Sequence, residues 1–366
     1  MNSLDYGYMQ MAYGLAEKAI GRASPNPYVG AVIVRDGVIV GSGFHEGPGL
    51  PHAEIVALRR AGRRAERATA YITLEPCVHW GRTPPCIDSV LAAQLKRVVV
   101  SDLDPNPLVY KKGVRRLVQS GVKVETGLLA ARNRRLNEAY IKYITRRTPF
   151  VTVKAAVTLD GRMATRDFDS RWISSEPARD YVHLLRGESD ALMVGIDTVL
   201  RDDPLLTVRH PRWKDKSMAR VIVDSRLRLP LKARVLSTLD RGRVFVFTRK
   251  DSAPARAEAL EKAGASIVRL PGAGDRVDLA AGLAWLGRNE VAGLLVEGGG
   301  RLASSFFERR LVDKVLLVLS PKLVGGKEAP AFIAGDKGAA RLKDGVVLKE
   351  TRSFALGPDL IMEGYL

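Results

Sequence analysis

The chain has 366 residues and only two cysteines, and both lie in one short run, Glu75-Pro76-Cys77-Val78-His79-Trp80-Gly81-Arg82-Thr83-Pro84-Pro85-Cys86. Upstream stands Pro51-His52-Ala53-Glu54. One histidine and two thiolates make a three-ligand set for a zinc ion, with a fourth position left open as in catalytic sites. This split set constrains folding more than any other feature, because two separate pieces of chain must meet at one ion. The apolar pattern shows how they can. A loop from Phe44 to Pro51 delivers His52 to the start of a helix running through Arg60. A strand, Tyr71 to Leu74, ends on Glu75-Pro76-Cys77, and Cys86 opens a helix to Ala93.

Those residue types fix a chemistry. Two thiolates neutralise the ion, and a water in the fourth position loses a proton more readily than bulk water. Glu54 lies on the right helix edge to take that proton and pass it to a leaving amine. A His-x-Glu followed by Pro-Cys is the pattern of zinc nucleobase deaminases, except that eight residues instead of two separate the cysteines here. The insert places His79, Gly81, Arg82 and Thr83 beside the metal. A fourth ligand from His79 would close the site, so substrate contact is the preferred reading, with metal binding and a structural role as alternatives. Arg82 is a candidate partner for a phosphate or carbonyl. Asn26, in the loop Ser24-Pro25-Asn26-Pro27, is a candidate for a base edge.

A chain of this length predicts two domains. No run of 18 apolar residues occurs, which predicts no membrane span. The first residues lack the blocks of a signal peptide, and two cysteines form no disulfide framework, so a cytoplasmic location is expected. The net charge of +18 has three readings: nucleic-acid binding, attraction of phosphorylated ligands into basic clefts, or solubility with a coding bias towards arginine. The arginine pairs, such as Arg59-Arg60, Arg115-Arg116 and Arg309-Arg310, are scattered over helix-like stretches with few aromatics between them. That argues against a nucleic-acid partner.

Strands and helices alternate through the first part: a helix over Asp5 to Ile20, a hairpin of Val29 to Val34 and Val38 to Gly43 around Asp36-Gly37, strands at Arg97 to Ser101 and Val122 to Thr126, and helices at Gly113 to Ser120 and Leu129 to Ile144. This is a three-layer α/β pattern. Arg146-Arg147-Thr148-Pro149 marks the boundary, giving domains 1–147 and 148–366. The pattern restarts with strands at Phe150 to Val157, Ala191 to Gly195, Ala219 to Val223, Val244 to Phe247, Ser266 to Leu270, Gly293 to Glu297, Lys314 to Leu319 and Asp359 to Glu363. Pro271-Gly272-Ala273-Gly274 reads as a turn.

In this second part Lys154 sits inside an apolar strand, where a lysine must snorkel or find an anion. Arg186 and the segment Asp202 to Arg209 supply arginines that can clamp a phosphate. Glu297-Gly298-Gly299-Gly300 is a strand-to-helix turn, followed by a helix from Arg301 to Arg310. Such a turn lets backbone N–H groups approach phosphates. It is not the Gly-x-Gly-x-x-Gly fingerprint, so no Rossmann domain is predicted.

Taken together, Ser24-Pro25-Asn26-Pro27, Val29-Gly30-Ala31-Val32, Pro51-His52-Ala53-Glu54, the run Thr73 to Cys86 and Asp104-Pro105-Asn106-Pro107 resemble the deaminase half of the bifunctional riboflavin biosynthesis family (RibD). Lys154 with Thr158-Leu159-Asp160-Gly161, Ser170-Arg171-Trp172-Ile173, Leu185-Arg186, the run Thr198 to Pro204, Asp224-Ser225 and Val296-Glu297-Gly298-Gly299 resemble its reductase half. The chain departs from the family at Tyr110-Lys111-Lys112. The resemblance implies an α/β protein: an N-terminal cytidine-deaminase-like three-layer αβα domain with zinc on His52, Cys77 and Cys86, and a C-terminal dihydrofolate-reductase-like α/β domain using NADPH. It implies that Ser170, Arg186, Leu206, Arg209 and Glu297 contact the ribose phosphate substrate. Ala156, Trp172, Thr198, Asp202, Ser225 and the turn Gly299, Gly300, Arg301, Leu302, Ala303, Ser304 and Ser305 would contact NADPH. Outside the family, Trp172 would more often be core. The implied reactions are hydrolytic deamination of 2,5-diamino-6-(5-phosphoribosylamino)pyrimidin-4(3H)-one, with Glu54 moving protons, and then reduction of the ribosyl to the ribityl chain, with Lys154 and Glu297 positioning the sugar. The expected partner is a small phosphorylated pyrimidine, in a homo-oligomer (dimer or tetramer). The rival readings are a tRNA or nucleoside deaminase with an accessory nucleic-acid-binding domain, and a zinc-stabilised nucleotide-binding scaffold.

Overall fold

The computed structural model describes residues 2–335 and 338–366. It divides into two compact units, Met1–Arg147 and Thr148–Leu366. Among the described residues, no helix is long and apolar enough to cross a membrane.

The first unit is a five-stranded sheet. Its strands are β1 (Gly30–Arg35), β2 (Val38–Phe44), β3 (Thr69–Leu74), β4 (Arg97–Asp102) and β5 (Lys123–Thr126), in the order β2-β1-β3-β4-β5. β1 runs antiparallel to β2 and β3, while β3, β4 and β5 are parallel. Asp36 and Gly37 both have positive φ (50° and 79°), as a two-residue hairpin turn requires. Alternate residues feed two cores. Ala31, Ile33, Ile72, Val98 and Val100 pack one face with Ala53 and Ala57 of helix Ala53–Ala61. Val32, Val34, Tyr71 and Val99 pack the other with Met9, Ala12 and Tyr13 of helix Ser3–Ala16. Period-two strands buried on both sides give three layers. Gly41 lets helix Ala53–Ala61 lie directly on β2, since a Cβ there would stand 2.2 Å from the Ala57 carbonyl oxygen. That contact sets where His52 enters the layer.

One predicted helix is two. The segment from Leu129 to Ile144 forms helices Ala130–Leu136 and Glu138–Arg146, which meet at Asn137 (φ −105°, ψ 21°). The Asn137 amide is taken up by Tyr28: Oδ1 accepts its N–H at 2.7 Å and Nδ2 donates to its carbonyl at 3.1 Å. A short polar side chain bonded to distant backbone outweighs helical continuity here.

The second unit has a nine-stranded sheet and a small hairpin. Its strands are β6 (Phe150–Thr158), β7 (Ala191–Gly195), β8 (Ala219–Val223), β9 (Val244–Arg249), β10 (Ser266–Leu270), β11 (Gly272–Ala273), β12 (Arg276–Val277), β13 (Gly293–Val296), β14 (Lys314–Ser320), β15 (Lys349–Leu356) and β16 (Asp359–Tyr365). The sheet order is β10-β9-β8-β7-β13-β6-β14-β16-β15, parallel up to β14 and antiparallel beyond it; β11 and β12 pair with each other. Sequence periodicity missed β15 because it is an edge strand exposed from Lys349 to Ser353, and only Phe354 and Leu356 at its end turn towards the core, too short an alternation to read. It also read Pro271 to Gly274 as a plain turn, where Gly272 and Ala273 pair with Arg276 and Val277. Alternation again feeds two cores: Met193, Val221, Phe247 and Leu294 on one face, Leu192, Val194, Ile222 and Leu295 on the other.

Candidate active site

In the first unit, His52 is the N-cap of helix Ala53–Ala61, in extended conformation (φ −71°, ψ 163°). Its Nδ1 lies 3.0 Å from Cys86 Sγ and 3.6 Å from Cys77 Sγ. A tetrahedral zinc at usual bond lengths spaces a nitrogen and a sulfur ligand by roughly 3.6 Å. The three ligand atoms all lie within 4.8 Å of one another, and among the described residues His79 is not part of that cluster. Thr83 Oγ1 stands 3.3 Å from His52 Nε2, on the side of the ring away from the sulfurs. Cys86 opens helix Cys86–Ala92, whose first N–H groups face Cys77: the Cys86 N–H donates to Sγ at 3.3 Å and the Ile87 N–H to the Cys77 carbonyl at 3.1 Å. The neighbouring Cys86 draws the Cys77 thiol down to about 4, and Cys77 in turn pushes Cys86 up. A helix start beside a low-lying thiol favours the thiolate that a metal takes. The donor set therefore fits zinc with one position left for water or substrate.

Glu54 is buried in the first turn of the same helix, and burial pushes its carboxyl up to about 7. Asn26 Nδ2 meets His45 Nε2 at 2.9 Å, while His45 Nδ1 meets the Pro51 carbonyl at 3.3 Å. A carbonyl only accepts, so His45 carries its proton on Nδ1 and accepts from Asn26 on Nε2. The Asn26 carbonyl oxygen is thereby fixed as the outward acceptor. On the insert, His79 Nδ1 is buried without a partner and Arg82 is exposed.

Sequence reasoning missed His45 and Glu75. Glu75 accepts the N–H groups of Lys111 and Val114, each at 3.0 Å, and of Asp104 at 3.3 Å. It holds the departing loop at Tyr110-Lys111-Lys112 against Pro76, where a Cβ on Gly113 would stand 2.3 Å from the Pro76 oxygen. The signal was available: Glu75 is a carboxylate at the buried end of a strand, where it needs donors.

The second unit holds a cavity of about 840 Å³. Val153 of β6 pairs with Val296 of β13, so the next residues, Lys154 and Glu297, share the opposite face as neighbours. Arg186 grips the Glu297 carboxylate with two hydrogen bonds, at 2.9 and 2.7 Å, and reaches the Thr207 carbonyl at 3.3 Å. Burial alone would raise the Glu297 carboxyl, but Arg186 outweighs it and holds it at about 2. Burial lowers the Lys154 ammonium. Lys154, Ala156, Ser170, Trp172, Arg186, Thr198, Asp202, Arg209, Ser225 and Glu297 all line this cavity. Trp172 is 61% exposed, so it is no core residue, and Arg179 lies 4.6 Å from its ring.

The glycine turn closes one wall. Gly298 has φ 101°, and a Cβ there would meet Thr198 Oγ1 at 2.6 Å; the same oxygen accepts the Gly299 N–H at 3.2 Å. Helix Gly300–Glu308 begins there. Gly299, Gly300, Arg301, Leu302 and Ser305 line the cavity. Ala303 and Ser304 do not: they turn into the interior, Ala303 into the core and Ser304 Oγ onto the Gly300 carbonyl at 2.7 Å. Leu206 is also outside the lining; its side chain packs with Leu192 and Val194, and its φ of 54° marks the bend before Arg209. His183 and Arg179 line the cavity without having been singled out in sequence, although with Val182 and Arg186 they form one helix face.

The model of the RibD C-terminal domain matches residues 149–362, and that of the cytidine and deoxycytidylate deaminase zinc-binding region matches residues 2–102. The chain is similar to the riboflavin biosynthesis protein RibD of Aquifex aeolicus, 41% identical over 99% of this chain and 98% of that one. It is 37% identical to the Escherichia coli RibD protein, over 98% of each chain. Among solved structures, Acinetobacter baumannii RibD superimposes with a TM-score of 0.88 at 35% identity, covering 99% of this chain and 98% of that one. A diaminohydroxyphosphoribosylaminopyrimidine deaminase/5-amino-6-(5-phosphoribosylamino)uracil reductase of Thermotoga maritima gives 0.84 at 32% identity, with the same coverage.

Proposed function

The chain belongs to the RibD family, bifunctional deaminase–reductases of riboflavin biosynthesis with zinc and NADPH as cofactors, and from that premise we propose which residues carry each step. Residues 1–147 deaminate the diaminopyrimidinone ribosyl phosphate, and residues 148–366 reduce the product's ribosyl chain to ribityl.

In deamination His52, Cys77 and Cys86 hold the zinc ion, which when bound acidifies a water molecule. Glu54 takes the proton from that water as it adds to the amino-bearing ring carbon, and returns it to the amine that leaves as ammonia. Burial raises its carboxyl, which favours its holding the proton between the two halves of that transfer. The Asn26 oxygen, fixed by His45, accepts from the pyrimidine edge. His79 and Arg82 take the remaining polar groups of the substrate; the unpartnered Nδ1 of His79 supports this, because an unsatisfied buried nitrogen costs about 1–3 kcal/mol until something fills it.

In reduction NADPH supplies a hydride to the sugar carbon bound to the amine. Lys154 gives a proton to the ring oxygen as the ribose opens, leaving the imine-like carbon that accepts hydride. Glu297, kept ionised by Arg186, orients the sugar hydroxyls. Ser170 and Arg209 belong to the substrate side, with Leu206 shaping the bend that leads to Arg209. Ala156, Trp172, Thr198, Asp202, Ser225 and the turn from Gly299 to Ser305 belong to the cofactor side, with Ala303 and Ser304 supporting it from behind. We extend the proposal to a cytoplasmic location and to a dimer or tetramer, the latter supported by the exposed Leu342, Val346 and Val347 beside the edge strand β15.

The observation that carries this reading is the meeting of one imidazole nitrogen and two sulfurs beside a buried glutamate. The test is an assay of purified protein with the diaminopyrimidinone substrate, following ammonia and NADPH absorbance separately. Ammonia is released without NADPH, and NADPH is consumed only after deamination. NADPH consumption with no prior ammonia would contradict the order of steps.

A further inference from the structure

Arg186 holds Glu297 through Nε and Nη2 and the Thr207 carbonyl through Nη1, so three of its five N–H groups are engaged and its charge is shared with Glu297. The anion of a ribosyl phosphate has further partners in the cavity. Arg209 lines it, and among the described residues its guanidinium meets no carboxylate. Beside Arg209 is His183, on the helix face of Arg179, Val182 and Arg186 and 9% exposed.

The hydrogen bonding of His183 settles its tautomer. Its Nδ1 accepts the backbone N–H of Arg209 at 3.2 Å. A backbone N–H only donates, so Nδ1 is unprotonated and the neutral ring carries its proton on Nε2. Among the described residues Nε2 has no partner, and the ring is part of the cavity wall. Burial, with Arg186 and Arg209 nearby, keeps the ring neutral down to about 4. One side chain thus anchors the backbone that presents Arg209 and offers an uncharged donor next to it. We propose that His183 is a substrate-binding residue of the reductase site, its Nε2–H donating to the substrate's phosphate alongside the Arg209 guanidinium. This rests on the reductase reading given above.

The variant His183→Asn keeps an acceptor where Nδ1 stood and removes the Nε2 donor. On the full-length protein, NADPH oxidation is measured with the deaminated ribosyl phosphate and with its dephosphorylated counterpart, and NADPH affinity by fluorescence. The expected result is a KM for the phosphorylated substrate raised roughly tenfold to a hundredfold, the range for a hydrogen bond to a charged group. The expected kcat/KM for the dephosphorylated substrate and the expected NADPH Kd are those of the wild type. An unchanged KM, or equal losses on both substrates, overturns the proposal; the second outcome is what a merely structural histidine gives. A measurement on wild-type protein covers a variant that does not fold: the His183 imidazole nitrogen signals move on titration with ribose 5-phosphate and stay put with ribose, and signals indifferent to the phosphate overturn the proposal. The wild-type rate in the same assay tests the reductase reading separately, since its absence sinks that reading, whereas an unchanged variant sinks only the role of His183.

Discussion

Glu297→Gln removes one charge from the most buried ion pair near the reductase chemistry while keeping the side-chain shape. The pair is bidentate, and the two side chains, Arg186 and Glu297, are 14% and 10% exposed. Taking away one partner of a buried pair leaves the other uncompensated, which costs about 3–5 kcal/mol. The carboxyl's own titration gives the same size. It is held at about 2 against an ordinary 4.5, a gap worth roughly 3 kcal/mol of stability at neutral pH. The folded carboxyl titrates below the unfolded one, so this stability is fully present above about 4.5 and is lost as pH falls towards about 2. The assay is thermal unfolding at neutral pH and at stepwise lower pH. For a unit of this size the transition of Glu297→Gln falls by roughly 6–20 °C. Its decline on acidification is shallower than the wild type's, because the variant no longer has that carboxylate to protonate. A variant melting with the wild type at neutral pH, or keeping the full acid slope, would refute the energetic role given to the pair.

Two further changes probe the same unit. Gly298→Ala places a methyl group 2.6 Å from Thr198 Oγ1 at a φ of 101°. Strain of this kind costs about 1–3 kcal/mol, so NADPH Kd measured by fluorescence rises roughly tenfold, and an unchanged Kd contradicts the turn's role. Lys154→Ala lowers NADPH oxidation by roughly a hundredfold or more, as loss of a proton donor does, while ammonia release persists; loss of both activities would mean the two steps are not separable.

How much of this was legible in the sequence follows from where each signal resides. The zinc ligands could be read because metal chemistry restricts residue type and spacing together, and His52, Cys77 and Cys86 stand at a helix start, a strand exit and a second helix start. Both layered sheets could be read because strands buried on both faces are written locally as continuous apolar runs such as Ala31 to Val34. The break at Asn137 could not, because it depends on Tyr28, far away in sequence. Nor could the difference between Ala303 or Ser304 and their neighbours be read from a motif, since a contiguous run on a helix presents only one side to a cavity. Arg186 was legible as an arginine beside a strand but not as the partner of Glu297, which stands just past the end of a distant strand; both were instead grouped with the substrate. His45 and His183 were missed because a lone histidine carries no spacing; only their hydrogen-bond partners reveal what they do.

The most direct test of the central claim, that one chain carries two separate chemistries and that Glu54 moves the proton in the first, is Glu54→Gln assayed in both directions. Gln keeps the shape of the buried side chain and cannot take a proton. The account predicts ammonia release reduced by roughly a hundredfold to ten-thousandfold, with NADPH oxidation of the supplied deaminated intermediate at the wild-type rate. Ammonia release at the wild-type rate from Glu54→Gln would contradict it.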